Sequence, residues 1–126
     1  PLCAPSLATT ITSPGDLAQF ALLRSFRGQD WLRWLKAAGA EHVPLTGPMF
    51  DSSVLMAEAA ARGYGVAILP LCMFDDYLSS GRLVRPFALS VHSGSYWLHT
   101  ALDRDKSAAL IAFTDWINRQ FAKIDG

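Results

Sequence analysis

Apolar positions in this chain alternate between helical spacing and short unbroken runs, and glycines and prolines stand where one pattern gives way to the other. Residues 5–10, short and alanine-containing, predict one or two helical turns. Ser13-Pro14-Gly15-Asp16 puts a capping residue ahead of a proline at a first helical position, which predicts a brief helix over residues 14–20. Residues 21–26 form a compact apolar run, a buried strand broken by Arg27 and Gly28. Asp30 can cap a helix whose Trp31, Trp34, Leu35 and Ala38 share one face, with Gly39 at the left-handed C-terminal position.

The second half of the pattern is similar. Residues 45–50 read as a strand that lies at an edge or begins after Pro48, because proline cannot donate to a ladder. A helix follows Asp51-Ser52-Ser53 to about residue 62, with Leu55, Met56, Ala59 and Ala60 as its apolar face and Gly63 as its stop. Residues 65–69 are the short, wholly apolar kind of strand buried on both faces of a parallel sheet. Pro70 opens another helix, carrying Met73, Phe74, Tyr77 and Leu78 on one side and ending at Gly81. Leu83-Val84 and residues 96–102 are strand-like. Residues 107–121 give the strongest helix, with Leu110, Phe113, Ile117, Phe121 and Ile124 stepping by three or four. This βαβα order with short connections predicts an α/β fold with parallel strands and right-handed crossovers.

Composition narrows the function classes. The 126 residues suit one domain or two small lobes of one unit, and 51% hydrophobic content is ample for a core. Lys and Arg number 11, as do Asp and Glu, so the chain lacks the basic surplus that gripping a nucleic-acid backbone needs. No apolar run reaches the ~18 residues of a membrane span; the longest is broken by Pro70. Cys3 and Cys72 match no zinc or thioredoxin spacing and read as ordinary thiols of a cytosolic protein, one disulfide being the alternative. No secretion signal is visible, and the start at Pro1 without Met reads as a piece of something longer.

Enzyme signatures are weak or missing. Gly63-Tyr64-Gly65 precedes a strand instead of following one and lacks the third glycine of a dinucleotide loop. There is no P-loop and no Gly-x-Ser-x-Gly elbow, and His42, His92 and His99 have no metal-ligand spacing, so neither catalytic residue, metal nor cofactor is expected. Asp75-Asp76 read as a solvated helix face. Trp31 and Trp34 read as core, with a stacking platform for bases as the sharper idea. The feature with chemistry in it is Phe50-Asp51-Ser52-Ser53 at the start of a helix. Unpaired amides and the helix dipole there can hold a carboxylate or phosphate, assisted by hydroxyls; Asp51 or Ser52 acting only as a cap is the alternative. On the later strand, Tyr96 can aim its hydroxyl into a pocket or leave it at the rim.

With these residues in view, the chain resembles the C-terminal part of a LysR-type transcriptional regulator. Pro1-Leu2-Cys3 with Ala4-Pro5 is similar to the entry into the second lobe of that family's effector-binding domain. Ser13-Pro14-Gly15-Asp16-Leu17, Leu22-Leu23-Arg24-Ser25-Phe26 with Asp30-Trp31, Ala37-Ala38-Gly39, the segment from Gly63 to Pro70, and Gly81-Arg82-Leu83-Val84-Arg85-Pro86-Phe87 continue the match in order. Gly47-Pro48-Met49-Phe50-Asp51-Ser52-Ser53, Leu55-Met56, Glu58-Ala59-Ala60, Cys72-Met73-Phe74 and Tyr96-Trp97-Leu98 resemble the members that control an inducible chromosomal β-lactamase.

The resemblance implies a type 2 periplasmic-binding-protein-like fold of two α/β lobes with the effector between them. Residues 1–69 would form the second lobe and residues 70–126 the C-terminal part of the first, the DNA-binding domain and the N-terminal half of the first lobe being absent. It implies a non-enzymatic, cytoplasmic sensor that takes an anhydro-muramyl peptide or a UDP-muramyl pentapeptide from cell-wall recycling. It also implies a homo-oligomer, an isologous dimer, that reaches DNA only through the missing domain. Ser53 and Tyr96 fall where that subgroup places pocket residues, with Ser52 and Asp51 beside them; a third pocket residue, a threonine, belongs to the missing part. A periplasmic solute-binding protein of the same fold, an α/β enzyme and a bare dimerisation module are the competing classes.

Overall fold

The computed structural model describes residues 1–26, 28–101 and 106–122. Three parallel strands, β1 (Leu22–Ser25), β2 (Met49–Phe50) and β3 (Val66–Ala67), lie side by side in the order β2-β1-β3. The helices around them are α1 (Pro5–Ala8), α2 (Asp30–Ala37), α3 (Ser53–Ala61), α4 (Asp75–Ser79) and α5 (Ala108–Ala122). Arg24 pairs with Met49 on one side of β1, and Leu22 pairs with Val66 on the other. The chain therefore runs outward from β1 to β2, then crosses back over β1 to β3, and the direction reverses between β1 and β3. That is the arrangement of a doubly wound sheet.

Alternation along the strands divides the interior in two. Leu22 and Val66 point into a cluster with Cys3, Leu17, Trp31, Trp34 and Leu35. Leu23 and Ala67 point the other way, into a cluster with Leu2, Met56, Ala57, Ala60, Phe74 and Leu83. The sheet is thus buried on both faces, as its unbroken apolar strands predict.

The two tryptophans are core, with both indole N–H groups satisfied. Trp31 Nε1 donates to the Leu23 carbonyl at 2.9 Å and Trp34 Nε1 to the Leu89 carbonyl at 3.0 Å, and the rings meet edge-on at 6.3 Å.

Several elements differ from the sequence pattern, each for a local reason. Residues Pro14–Gln19 form a 3-10 helix, its entry fixed by the Asp16 carboxylate, which accepts from the backbone N–H of Thr12 and Ser13 and from the Thr12 hydroxyl. Gln29, not Asp30, is the N-cap of α2; Asp30 is its first helical residue. The β2 strand, by contrast, is as the proline predicts: it lies at an edge and begins at Met49, after Pro48. On α3 the buried residues are Met56, Ala57 and Ala60, while Leu55 is exposed. The segment after Pro70 is a 3-10 turn, Leu71–Met73, followed by α4; Phe74 between them is buried and Met73 is exposed. No described residue of 96–101 is in a strand, because none pairs with a neighbouring chain segment, and Leu102 and Ile124 lie outside the described residues.

By packing, the chain forms two compact units, Pro1–Ser93 and Gly94–Gly126. The resemblance implies a lobe boundary after Leu69; by packing, residues 70–93 fall within the first unit. Phe74 and Leu83 share the cluster of Met56, and Val84 exchanges backbone hydrogen bonds with Cys3 at 2.9 and 3.1 Å. In the second unit, the Ser107 hydroxyl caps α5 by accepting from Leu110 N at 3.2 Å, and Ile111, Phe113, Trp116 and Phe121 are exposed.

Three hydrogen bonds hold the Asp16 carboxyl down at about 2, below its usual value of about 4. A depressed carboxylate stabilises the fold fully above its unfolded pKa, and that contribution is lost as pH falls from about 4 to about 2. Asp16→Asn should lower the melting temperature at pH 7 and flatten its fall between pH 4 and pH 2. Melts of both proteins across that window, monitored by circular dichroism, check this; parallel curves would show that the carboxylate is unlinked to folding.

Candidate functional site

Parallel strands send all their carboxyl ends to one edge, and the helices that follow start there. At that edge β2 runs into α3 through Asp51-Ser52. The Phe50 carbonyl accepts from Phe26 N at 3.3 Å, which ties the end of β2 to the end of β1. Ser52 is the N-cap: it is extended, its hydroxyl accepts from Leu55 N at 3.4 Å, and its carbonyl accepts from Met56 N at 3.0 Å. Ser53, the first helical residue, is half-buried, and no hydrogen bond among the described residues engages its hydroxyl. Asp51 is exposed. The structure therefore brings Asp51, Ser52 and Ser53 together at one helix end and gives the capping role to Ser52. Ser53 is left with an uncommitted donor beside the first-turn amides, the arrangement that suits an anion. Tyr96 belongs to the second unit, where it is exposed and its ring lies 6.2 Å from that of Phe121.

The same edge carries a feature that sequence reasoning missed. Arg24, Ser25, Gly28, Asp30, Trp31, Leu45 and Ile68 line a shallow indentation. It lies where β1 and β3 end and α2 begins, at the point where the winding direction reverses. The available signal was the single charged residue in an otherwise apolar run, Leu22-Leu23-Arg24. Arg24 is half-buried, and its Nη2 and Nε both donate to the Gly47 carbonyl, at 2.9 and 3.3 Å.

Away from that edge, Glu58 on α3 joins the α4 region. Tyr77 donates its hydroxyl to Glu58, Arg82 makes two bonds to the carboxylate at 2.8 and 2.9 Å, and the guanidinium stacks 4.4 Å above the Tyr77 ring. The Tyr77 hydroxyl and then Arg82 hold the Glu58 carboxyl below its usual range, while the same carboxylate pushes the Tyr77 hydroxyl up. Every partner is satisfied within the cluster, so it reads as a clasp between helices. Both cysteines are free thiols; burial pushes Cys3 up to about 11 and keeps it protonated and inert. Among the described residues no helix is long and apolar enough to cross a membrane.

A doubly wound parallel sheet buried on both faces defines an α/β domain, and comparison with known proteins says which. The LysR substrate binding domain model matches residues 1–122. The chain belongs to the LysR substrate-binding domain family. It is 47% identical over 123 residues to the HTH-type transcriptional activator AmpR of Rhodobacter capsulatus, covering 98% of this chain and 43% of that protein. It is 40% identical over 119 residues to the carbapenem-hydrolysing β-lactamase transcriptional activator of Serratia marcescens, covering 92% of this chain and 41% of that protein. Among solved structures, the AmpR effector-binding domain of Citrobacter freundii superposes with a TM-score of 0.85 at 40% identity, covering 97% of this chain and 62% of that one. The effector domain of AmpR from Pseudomonas aeruginosa gives 0.83 at 41% identity, covering 97% and 59%. The chain thus spans about two-fifths of the length of the activators it matches. These relatives are transcription regulators, not enzymes.

Proposed function

We propose that this chain is the effector-sensing part of a cytoplasmic transcriptional activator that controls a β-lactamase in response to cell-wall recycling muropeptides. The carrying observation is likeness to AmpR activators along almost the whole chain, joined to an uncommitted Ser53 hydroxyl at the start of α3. A carboxylate of the muropeptide stem is held by Ser53 and the first-turn amides, next to Ser52 and Asp51; Tyr96 is the further effector-binding residue that the likeness to AmpR implies. A solved variant of the Citrobacter freundii effector-binding domain supports this choice. It carries three substitutions, threonine to valine, serine to alanine and tyrosine to phenylalanine. Its serine and tyrosine are separated by the same number of residues as Ser53 and Tyr96, and its threonine lies far enough ahead to fall before Pro1. In this reading the Pro1–Ser93 unit is one lobe of the effector domain and the Gly94–Gly126 unit is part of the other. The complete regulator works as a homodimer and meets DNA through a domain outside this chain.

Calorimetry of the complete effector domain with an anhydro-muramyl peptide and with a UDP-muramyl pentapeptide tests the proposal; binding of neither refutes it. Losing one hydrogen bond to a charged group costs about 1.5–3 kcal/mol, or roughly ten- to a hundredfold in affinity. Ser53→Ala and Tyr96→Phe should each weaken binding by that factor while leaving the melting temperature within a degree or two. Undiminished affinity in both variants would make Ser53 a structural residue and move the pocket elsewhere.

A further inference from the structure

The indentation at the carboxyl ends of β1 and β3 holds two opposite charges that do not satisfy each other. Arg24 and Asp30 both border it, yet their charged groups are more than 4.0 Å apart, and no carboxylate among the described residues pairs with Arg24. A guanidinium has five N–H donors in a plane. Two of the Arg24 nitrogens point at one neutral acceptor, the Gly47 carbonyl, so the guanidinium is fixed in place while most of its donors and its charge remain uncompensated. The half-buried guanidinium therefore keeps donors available to a ligand of opposite sign. Asp30, as the first residue of α2, is oriented by the helix it begins, and its carboxylate has no cationic partner among the described residues. The indentation therefore carries an anchored guanidinium and a carboxylate that do not pair, with Trp31 and Leu45 as apolar lining.

We infer that Arg24 and Asp30 form a subsite for a zwitterionic amino-acid head group, one carbon bearing both an ammonium and a carboxylate. Arg24 takes the carboxylate, Asp30 takes the ammonium, and the apolar lining takes the first methylene of the side chain. A simple anion does not fit as well, because Asp30 opposes it, and a simple cation meets Arg24. The subsite rests on the muropeptide reading above and deepens it: it selects peptides that end in a free amino-acid head group.

The test is calorimetry on the complete regulator with one muramyl peptide in three forms: free head group, N-acetylated at that amine, and amidated at that carboxylate. With the parent protein each blocking group should weaken binding at least tenfold. Asp30→Asn should erase the penalty for acetylation while keeping that for amidation. Arg24→Met should do the reverse, and Arg24→Lys should restore part of the sensitivity to amidation. Equal binding of all three forms by the parent overturns the subsite while leaving the proposed function standing; no binding of any form overturns both. Should Arg24→Met fail to fold, the three forms against the parent and Asp30→Asn still decide. Full sensitivity to acetylation in Asp30→Asn overturns the assignment.

Discussion

Gly65→Ala should cost the Pro1–Ser93 unit about 3–5 kcal/mol, enough to leave much of it unfolded at room temperature. Gly65 has φ +155°, and a Cβ there would sit 2.2 Å from the Ala21 carbonyl oxygen and 3.0 Å from Leu23 Cδ2. The obstructing oxygen is the acceptor for Val66 N, at 3.0 Å, so any shift that relieves the clash also opens the junction between β3 and β1. Backbone cannot swing aside as a side-chain end can. Gly81 is the internal comparison. It too has a left-handed backbone, φ +72°, but nothing lies within 4 Å of where its Cβ would be. Gly81→Ala should therefore carry only the conformational cost, about 1–2 kcal/mol. Urea unfolding of both variants measures the difference through the midpoint at unchanged slope. Equal losses would show that close approach at Gly65 contributes nothing beyond its φ.

The contrast between these glycines marks what could be read from the sequence. Gly39, Gly63 and Gly81 each follow a helical pattern, and a glycine there predicts a left-handed stop, which all three supply with φ of +66°, +80° and +72°. Gly47 and Gly65 stand beside strands, and their need for glycine comes from β1 passing against them, a contact between segments about twenty or more residues apart. Helix α2 was legible because Trp31, Trp34 and Leu35 alternate with Leu32, Arg33 and Lys36, so only one face can be buried. Helix α3 is apolar nearly all round, and its periodicity could not choose between Leu55 and Ala57. The close packing of α3 against the sheet chose the small residue, Ala57, and turned Leu55 outward. The start of α3 was legible as a helix end with hydroxyls, but not whether Asp51 or Ser52 caps it; that follows from the backbone of Ser52, extended at φ −121° and ψ 122°. Of the Arg24 and Asp30 rim only the lone charge of Arg24 in an apolar run was legible, since the rim itself depends on β1, β3 and α2 converging at one edge.

Trp34→Ala should destabilise the first unit by about 3–5 kcal/mol and at the same time release the chain that follows the core. Trp34 is 1% exposed and sits in the middle of the Cys3, Leu17, Leu22 and Leu35 cluster, so truncation leaves a large void with little room to collapse. Its ring packs on Phe87 at 5.2 Å and its Nε1 donates to the Leu89 carbonyl, while the neighbouring Arg33 guanidinium reaches the Ser93 carbonyl at 3.4 Å. One turn of α2 thus holds residues 87–93 against the unit as the chain leaves it. Trp34→Phe separates the two roles: it keeps most of the packing and loses only the indole N–H, and Leu89, half exposed, can pass its carbonyl to water. The phenylalanine variant should lose about 1–2 kcal/mol, the net worth of one hydrogen bond plus a small volume change. Limited proteolysis under native conditions should cut the alanine variant within residues 87–93 well before the parent or the phenylalanine variant. If both variants melt together and are cut alike, the hydrogen bond to Leu89 holds the segment and the packing of the ring does not.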